Sequence, residues 1–137
     1  MNLTRLVYYS QHNPSMSLGV PDLIATCHRN NAALDVTGFL QFNGHSFLQV
    51  LEGGRAEVSS LYNRIVTDPR HLNVILIQCC DVRERMFPGW SMGLHEGMDE
   101  QTKKVFLRYF SGNTVNPETI GADSLLAALR DLSREMA

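Results

Sequence analysis

"DVTGFLQFNGHSFLQVLEG", residues 35–53, holds two extended apolar runs on either side of Asn43-Gly44. Asn-Gly between such runs is the strongest short-range signal for a two-residue type I′ turn. The stretch therefore reads as a tight antiparallel hairpin whose second strand carries one amide, Gln49, among Phe47, Leu48, Val50 and Leu51. With the turn at Asn43-Gly44, Phe42 faces His45, Leu40 faces Phe47 and Gly38 faces Gln49. Gly38 then leaves an empty lateral slot beside the glutamine, and a glycine inside a strand marks the close approach of a ligand or of another backbone. A buried amide without partners costs about 1–3 kcal/mol. Gln49 must therefore meet something polar.

Working outward, "LTRLVYYS" (3–10) reads as a first strand and "SLGVPDLIATCHRNNAAL" as a helix ending near Asn30 and Asn31. "GGRAEVSSLYNRIVTDPRH" places Val58, Leu61, Tyr62 and Ile65 on one helical stripe and stops at Asp68-Pro69. "LNVILIQCCDV" (72–82) is a near-continuous β-branched run suited to a strand covered on both faces, and "WSMGLHE" (90–96) gives a fifth strand. The order β-α-β-β-α-β plus one strand is the ferredoxin-like arrangement, an α+β sheet with both helices on one face. The remainder forms helices near 99–110 and 122–136. The first carries Phe106, Tyr109 and Phe110, and the second Leu125, Leu129, Leu132 and Met136. These stripes either cap the open sheet face or meet a partner. We divide the chain into a sheet domain, 1–97, and a helical extension, 98–137, within one compact unit.

In that sheet order the first strand lies between the third and fourth, which makes Tyr8 and Gln49 cross-strand neighbours. Two readings follow. Tyrosine and glutamine can satisfy each other in an ordinary core, or they belong to a polar cluster around a flat heteroaromatic ligand, with Asn30 and Asn31 at one edge.

Composition removes several classes. Twelve basic against fourteen acidic residues give none of the positive excess that phosphate-backbone binding demands, so nucleic acid is not expected. The N-terminus has no signal-like segment and no run could span a bilayer, so a cytoplasmic protein off the membrane is expected. Cys27, Cys79 and Cys80 lack CxxC spacing, and the five histidines lack ligand spacing; reduced thiols, no metal and no catalytic residues are the expectation.

The residues resemble the BLUF domain, a blue-light sensor that uses flavin, over about residues 2–96. The resemblance is carried by "RLVYYS" with Tyr8, "NNAALDVTGFLQFNGHSFLQVLEG" with Asn30, Asn31 and Gln49, "YNRIVTDPRH" with Arg64, Ile65, Arg70 and His71, and "FPGWSMGL" with Trp90 and Met92. The last forty residues are similar to the two-helix cap of short stand-alone members. The resemblance implies a noncovalent flavin, FAD with FMN or riboflavin as alternatives, between the two helices. It implies Asn31 and Asn30 at the polar edge of the ring, Arg64 at the pyrimidine end or ribityl chain, and Ile65 with Leu23 or Ile24 as the sandwich. Arg70 and His71 would border the outer part.

It also implies photochemistry without enzymatic turnover. Tyr8 would donate an electron and then a proton to the excited flavin, and Gln49 would rotate or tautomerise before the pair recombines. The product is a red-shifted state read out through Trp90 and Met92, although Trp90 could equally be simple core. Cys27 stands where several relatives carry a small polar residue. Homo-oligomerisation through the C-terminal helices and a light-dependent complex with a separate effector complete the expectation. Two rivals share the fold: a flavin-free ligand-binding regulatory module, and an acylphosphatase-type hydrolase, which would need an arginine that "SQHNPSMS" does not offer.

Overall fold

A computed structural model describes residues 2–16, 19–112 and 114–135. Nine elements follow one another as β1 (Leu3–His12), α1 (Val20–Ala33), β2 (Thr37–Phe42), β3 (Ser46–Gly53), α2 (Arg55–Thr67), β4 (His71–Val82), β5 (Gly93–Glu96), α3 (Glu100–Tyr109) and α4 (Ala122–Glu135). The sheet runs β4-β1-β3-β2-β5. Its first four strands are antiparallel neighbours, and β5 joins the far edge parallel to β2. This is the ferredoxin-like α+β fold with an added strand.

Strand alternation divides the interior into two cores. Leu6, Tyr8, Leu40, Phe47 and Leu51 pack with Leu23 of α1 and with Val58 and Leu61 of α2. Val7, Tyr9, Phe39, Leu48 and Val50 face the other way and pack with Phe106 of α3 and with Leu125, Leu129 and Leu132 of α4. The C-terminal helices thus cap the open sheet face, the first of the two alternatives their apolar stripes left open, and Leu125, Leu129 and Leu132 of α4 are spent inside the chain. Met136, the last residue of that expected stripe, lies outside the described residues.

Three expectations need correction. The hairpin register differs by two residues: Phe42 pairs Phe47, Leu40 pairs Gln49 and Gly38 pairs Leu51. Asn43 opens the turn instead of occupying its centre, because its Oδ1 accepts from the amides of His45 (2.9 Å) and Ser46 (2.8 Å), and Gly44 takes the left-handed position at φ 100°. A two-residue shift preserves every face. Gly38, however, no longer lies across from Gln49; a Cβ there would come 2.0 Å from the carbonyl oxygen of Val50. Its glycine serves backbone approach.

Secondly, β4 is an edge strand and is covered only in part. Leu72 and Leu76 are 40% and 48% exposed, because no strand among the described residues pairs beyond it and two register shifts against β1 bend it. Thirdly, the fifth strand begins at Gly93, so Trp90 and Met92 sit in the loop before it. Among the described residues no helix is long and apolar enough to cross a membrane.

That loop is anchored by Glu52, whose side chain is fully buried. Its carboxylate accepts from Arg5 Nε at 2.8 Å, from the Met86 amide at 2.9 Å and from the Phe87 amide at 2.8 Å. Arg85 adds bonds to Thr37 Oγ1 and to the carbonyl oxygens of Glu52 and Asp35. Removing one partner of a buried ion pair strands the other and typically costs about 3–5 kcal/mol. Glu52→Ala should destabilise the protein by about that much in urea unfolding, whereas Arg55→Ala, which ends an exposed pair with Asp81, should cost less than about 1 kcal/mol.

Candidate functional site

The two faces of the sheet are not equivalent. Against α3 and α4 the packing is apolar, but between α1 and α2 a cleft of about 600 Å³, counting its open mouth, reaches down to the sheet. Its floor is Tyr8, Leu40, Gln49 and Leu51; its walls are Leu23, Thr26, Cys27, Asn30 and Asn31 of α1 and Leu61, Arg64 and Ile65 of α2. Asp68, Arg70 and His71 close one end.

Tyr8 and Gln49 are direct cross-strand partners, 0% and 3% exposed. The phenol donates to Gln49 Oε1, and Gln49 Nε2 donates in turn to Met92 Sδ at 3.4 Å. A thioether is a weak acceptor, so one side of the amide is firmly held and the other loosely. Burial pushes the Tyr8 phenol well above its ordinary range, with Cys27, Tyr62 and Asp68 adding to the effect. Tyr8 therefore keeps its proton at neutral pH.

Asn31 is 2% exposed and donates from Nδ2 to the Ser91 carbonyl at 2.7 Å. Its Oδ1 takes no donor among the described residues. Helix α1 reaches this point because Pro21 fits its first turn and Asp22 the positive end of its dipole. At the other end of the cleft Arg70 forks onto Asp68, with Nη2 to Oδ2 at 2.6 Å and Nε to Oδ1 at 3.1 Å. Burial would raise the Asp68 carboxyl, but Arg70 holds it below the usual carboxylate range. His71 bonds Ser10 Oγ through Nδ1 at 2.7 Å, and burial lowers its pKa from 6.5 to about 4 against the pull of Asp68.

The expected residues thus converge: Tyr8, Leu23, Asn30, Asn31, Gln49, Arg64, Ile65, Arg70 and His71 all line one cleft. Ile24 does not line it and packs against the surrounding apolar cluster. Met92 touches Gln49, whereas Trp90 lies on the opposite sheet face, edge-on to Phe39 at 5.7 Å. Sequence reasoning passed over Asp68, which it used only to stop α2, and over Thr26, Leu40, Leu51 and Leu61. The charge next to Pro69 and Arg70 was the available signal for Asp68.

The donor set fits a flavin. Apolar Leu23 and Ile65 suit the faces of a flat ring, while amides from two elements and the Arg64 guanidinium suit its polar rim and tail. Among the described residues no group of His, Cys, Asp and Glu could hold a metal ion.

Residues 3–93 match the BLUF family, described as sensors of blue-light using FAD. The chain is 35% identical over 95 residues, 69% of its length, to the blue light- and temperature-regulated antirepressor BluF of Escherichia coli, covering 24% of that protein. It is 37% identical over 92 residues, 66% of its length, to the photoactivated adenylate cyclase subunit beta of Euglena longa, covering 11% of it. The chain therefore spans a quarter or less of these curated relatives. Among solved structures, BlsA in its photo-activated state superposes with a TM-score of 0.85 at 27% identity, over 95% of this chain and 94% of the other.

The buried imidazole of His71 makes that end of the cleft sensitive to acid. The folded pKa of His71 lies below the unfolded value, so as pH falls the unfolded chain takes up the proton first. The stability held above pH 6.5 is lost as pH falls toward 4. At pH 4.5 the loss should be roughly 2 kcal/mol relative to pH 7. Urea unfolding of His71→Gln should show a shallower decline over the same interval; an unchanged pH profile would refute the assignment.

Proposed function

This chain belongs to the BLUF family of blue-light sensors using flavin, and on that premise we propose that Tyr8 and Gln49 are its photoactive pair, with FAD held between α1 and α2. The observation that carries the reading is the buried chain Tyr8 Oη to Gln49 to Met92 Sδ on the cleft floor. Leu23 and Ile65 sandwich the ring. Asn31 and Asn30 meet its polar edge, Arg64 reaches the pyrimidine end or ribityl chain, and Arg70 and His71 border the outer part. These residues address the ring system that FAD, FMN and riboflavin share, so FAD rests on the family description.

When bound, the flavin supplies blue-light absorption and a photo-oxidising centre. Tyr8 is the electron and proton source. Burial disfavours ionisation of its phenol, whereas an oxidised phenol is a strong acid and releases its proton along the existing bond. Gln49 is the moving part, because a primary amide can exchange donor for acceptor by rotation or tautomerisation without a change of charge. The loose bond to Met92 Sδ is the contact that changes at least cost, and it links the event to the 90–92 segment. Such a switch is a local hydrogen-bond change biasing a two-state element.

The output is a contact with a separate effector chain. Self-association through the C-terminal helices falls to their outer faces, where Leu107 of α3 is 60% exposed. The test is a light-minus-dark absorption spectrum of the purified protein with added FAD: a flavin band that moves to the red and recovers in darkness. Gln49→Leu should keep the flavin and lose that shift, and Tyr8→Phe should abolish productive cycling. Bleaching of the flavin, or no uptake, would sink the reading.

A further inference from the structure

Three consecutive residues of the loop before β5 are held by three different elements. The Trp90 carbonyl accepts from the Gly38 amide of β2 at 2.9 Å, and Met92 Sδ accepts from Gln49 of β3. Among the described residues Ser91 is hydrogen-bonded by α1 alone, and twice. Asn31 Nδ2 donates to its carbonyl at 2.7 Å, and His28 Nδ1 bonds its Oγ at 2.5 Å. His28 and Asn31 are three apart and so share a face of the helix. One lines the cleft and the other stands at the surface.

We propose that the His28–Ser91 bond is a latch that positions the 90–92 segment, so that its closure is part of the return from the lit state. The inference rests on the function proposed above. Gln49 can return its Nε2 to Met92 Sδ only when Met92 is seated, and Met92 is carried by Ser91. Loosening the latch lowers the seated fraction of the segment, and a step that needs the seated form slows by that fraction. His28 and Ser91 touch neither Tyr8 nor Gln49, so the ring environment and the size of the light-induced shift stay as they are. Both are positioning residues.

The loss of one hydrogen bond corresponds to about a two- to tenfold change. His28→Ala and Ser91→Ala should each slow dark recovery by that factor and speed amide exchange across residues 90–93 in the dark by the same factor. The double variant should show no more than either single one, since both remove the same bond. His28→Gln should restore part of the rate. Red-shift amplitude and FAD affinity should match the unsubstituted protein in all four. Recovery at the original rate in either alanine variant, or effects that multiply in the double, would overturn the latch. Absence of any red shift in the unsubstituted protein would instead overturn the photoactive pair, and dark exchange would still report on the bond.

Discussion

A carboxylate without solvent contact, Glu52, fixes where everything near the site can be. Charge is admitted to the interior only when its bonding is complete, and Glu52 is completed by Arg5 of β1 and by two backbone amides at the start of the loop between β4 and β5. The same β3 strand carries Gln49 three residues earlier. Glu52 and Gln49 therefore hold the two ends of one loop, at Met86-Phe87 and at Met92, and the loop's length brings a methionine sulfur over the amide. Without the first anchor the second would have no fixed partner.

The two sheet faces divide labour along the same strands. Tyr8, Gln49 and Leu51 turn toward the cleft, while Val7, Leu48 and Val50 turn toward α3 and α4. The first face carries hydrogen-bonding groups whose arrangement can alter; the second is a closely packed apolar layer whose side chains have nowhere to go. Trp90 belongs to that second layer, where it lies over Gly93 so tightly that a Cβ there would come 2.1 Å from Trp90 Cε3.

Much of this was legible in the residues. Alternation in β1 and β3 put Tyr8 and Gln49 on one face and opposite each other, and that geometry stands. The hairpin register departs from the one a central Asn-Gly implies, because the Asn43 side chain captures two following amides and makes Asn43 the first residue of the turn. A two-residue shift keeps every side chain on its face but puts Leu40, not Gly38, across from Gln49. The exposed flank of β4 was hidden because a run such as Val74–Ile77 looks the same at an edge as at a centre, and pairing depends on strands far away in sequence. Ser10 beneath His71 was equally invisible, since nothing local in "YYSQH" announces a partner 61 residues on.

If Gln49 switches as proposed, the asymmetry between faces also bears on the route by which its change would leave the molecule. Its strand neighbours Leu48 and Val50 are 3% and 0% exposed in the core beneath the cap, and moving β3 itself would disturb contacts on both faces at once. The loop at 90–92 sets Trp90 and Met92 into the two cores, but Ser91 between them is held by discrete polar bonds from α1, each worth about 1 kcal/mol. Segments that open at low cost are the ones that can report a local event. On the proposed function the loop is therefore the cheaper exit than the strand, and its tethers to β2, α1 and β3 would decide how much of a reorientation of the Gln49 amide reaches the surface.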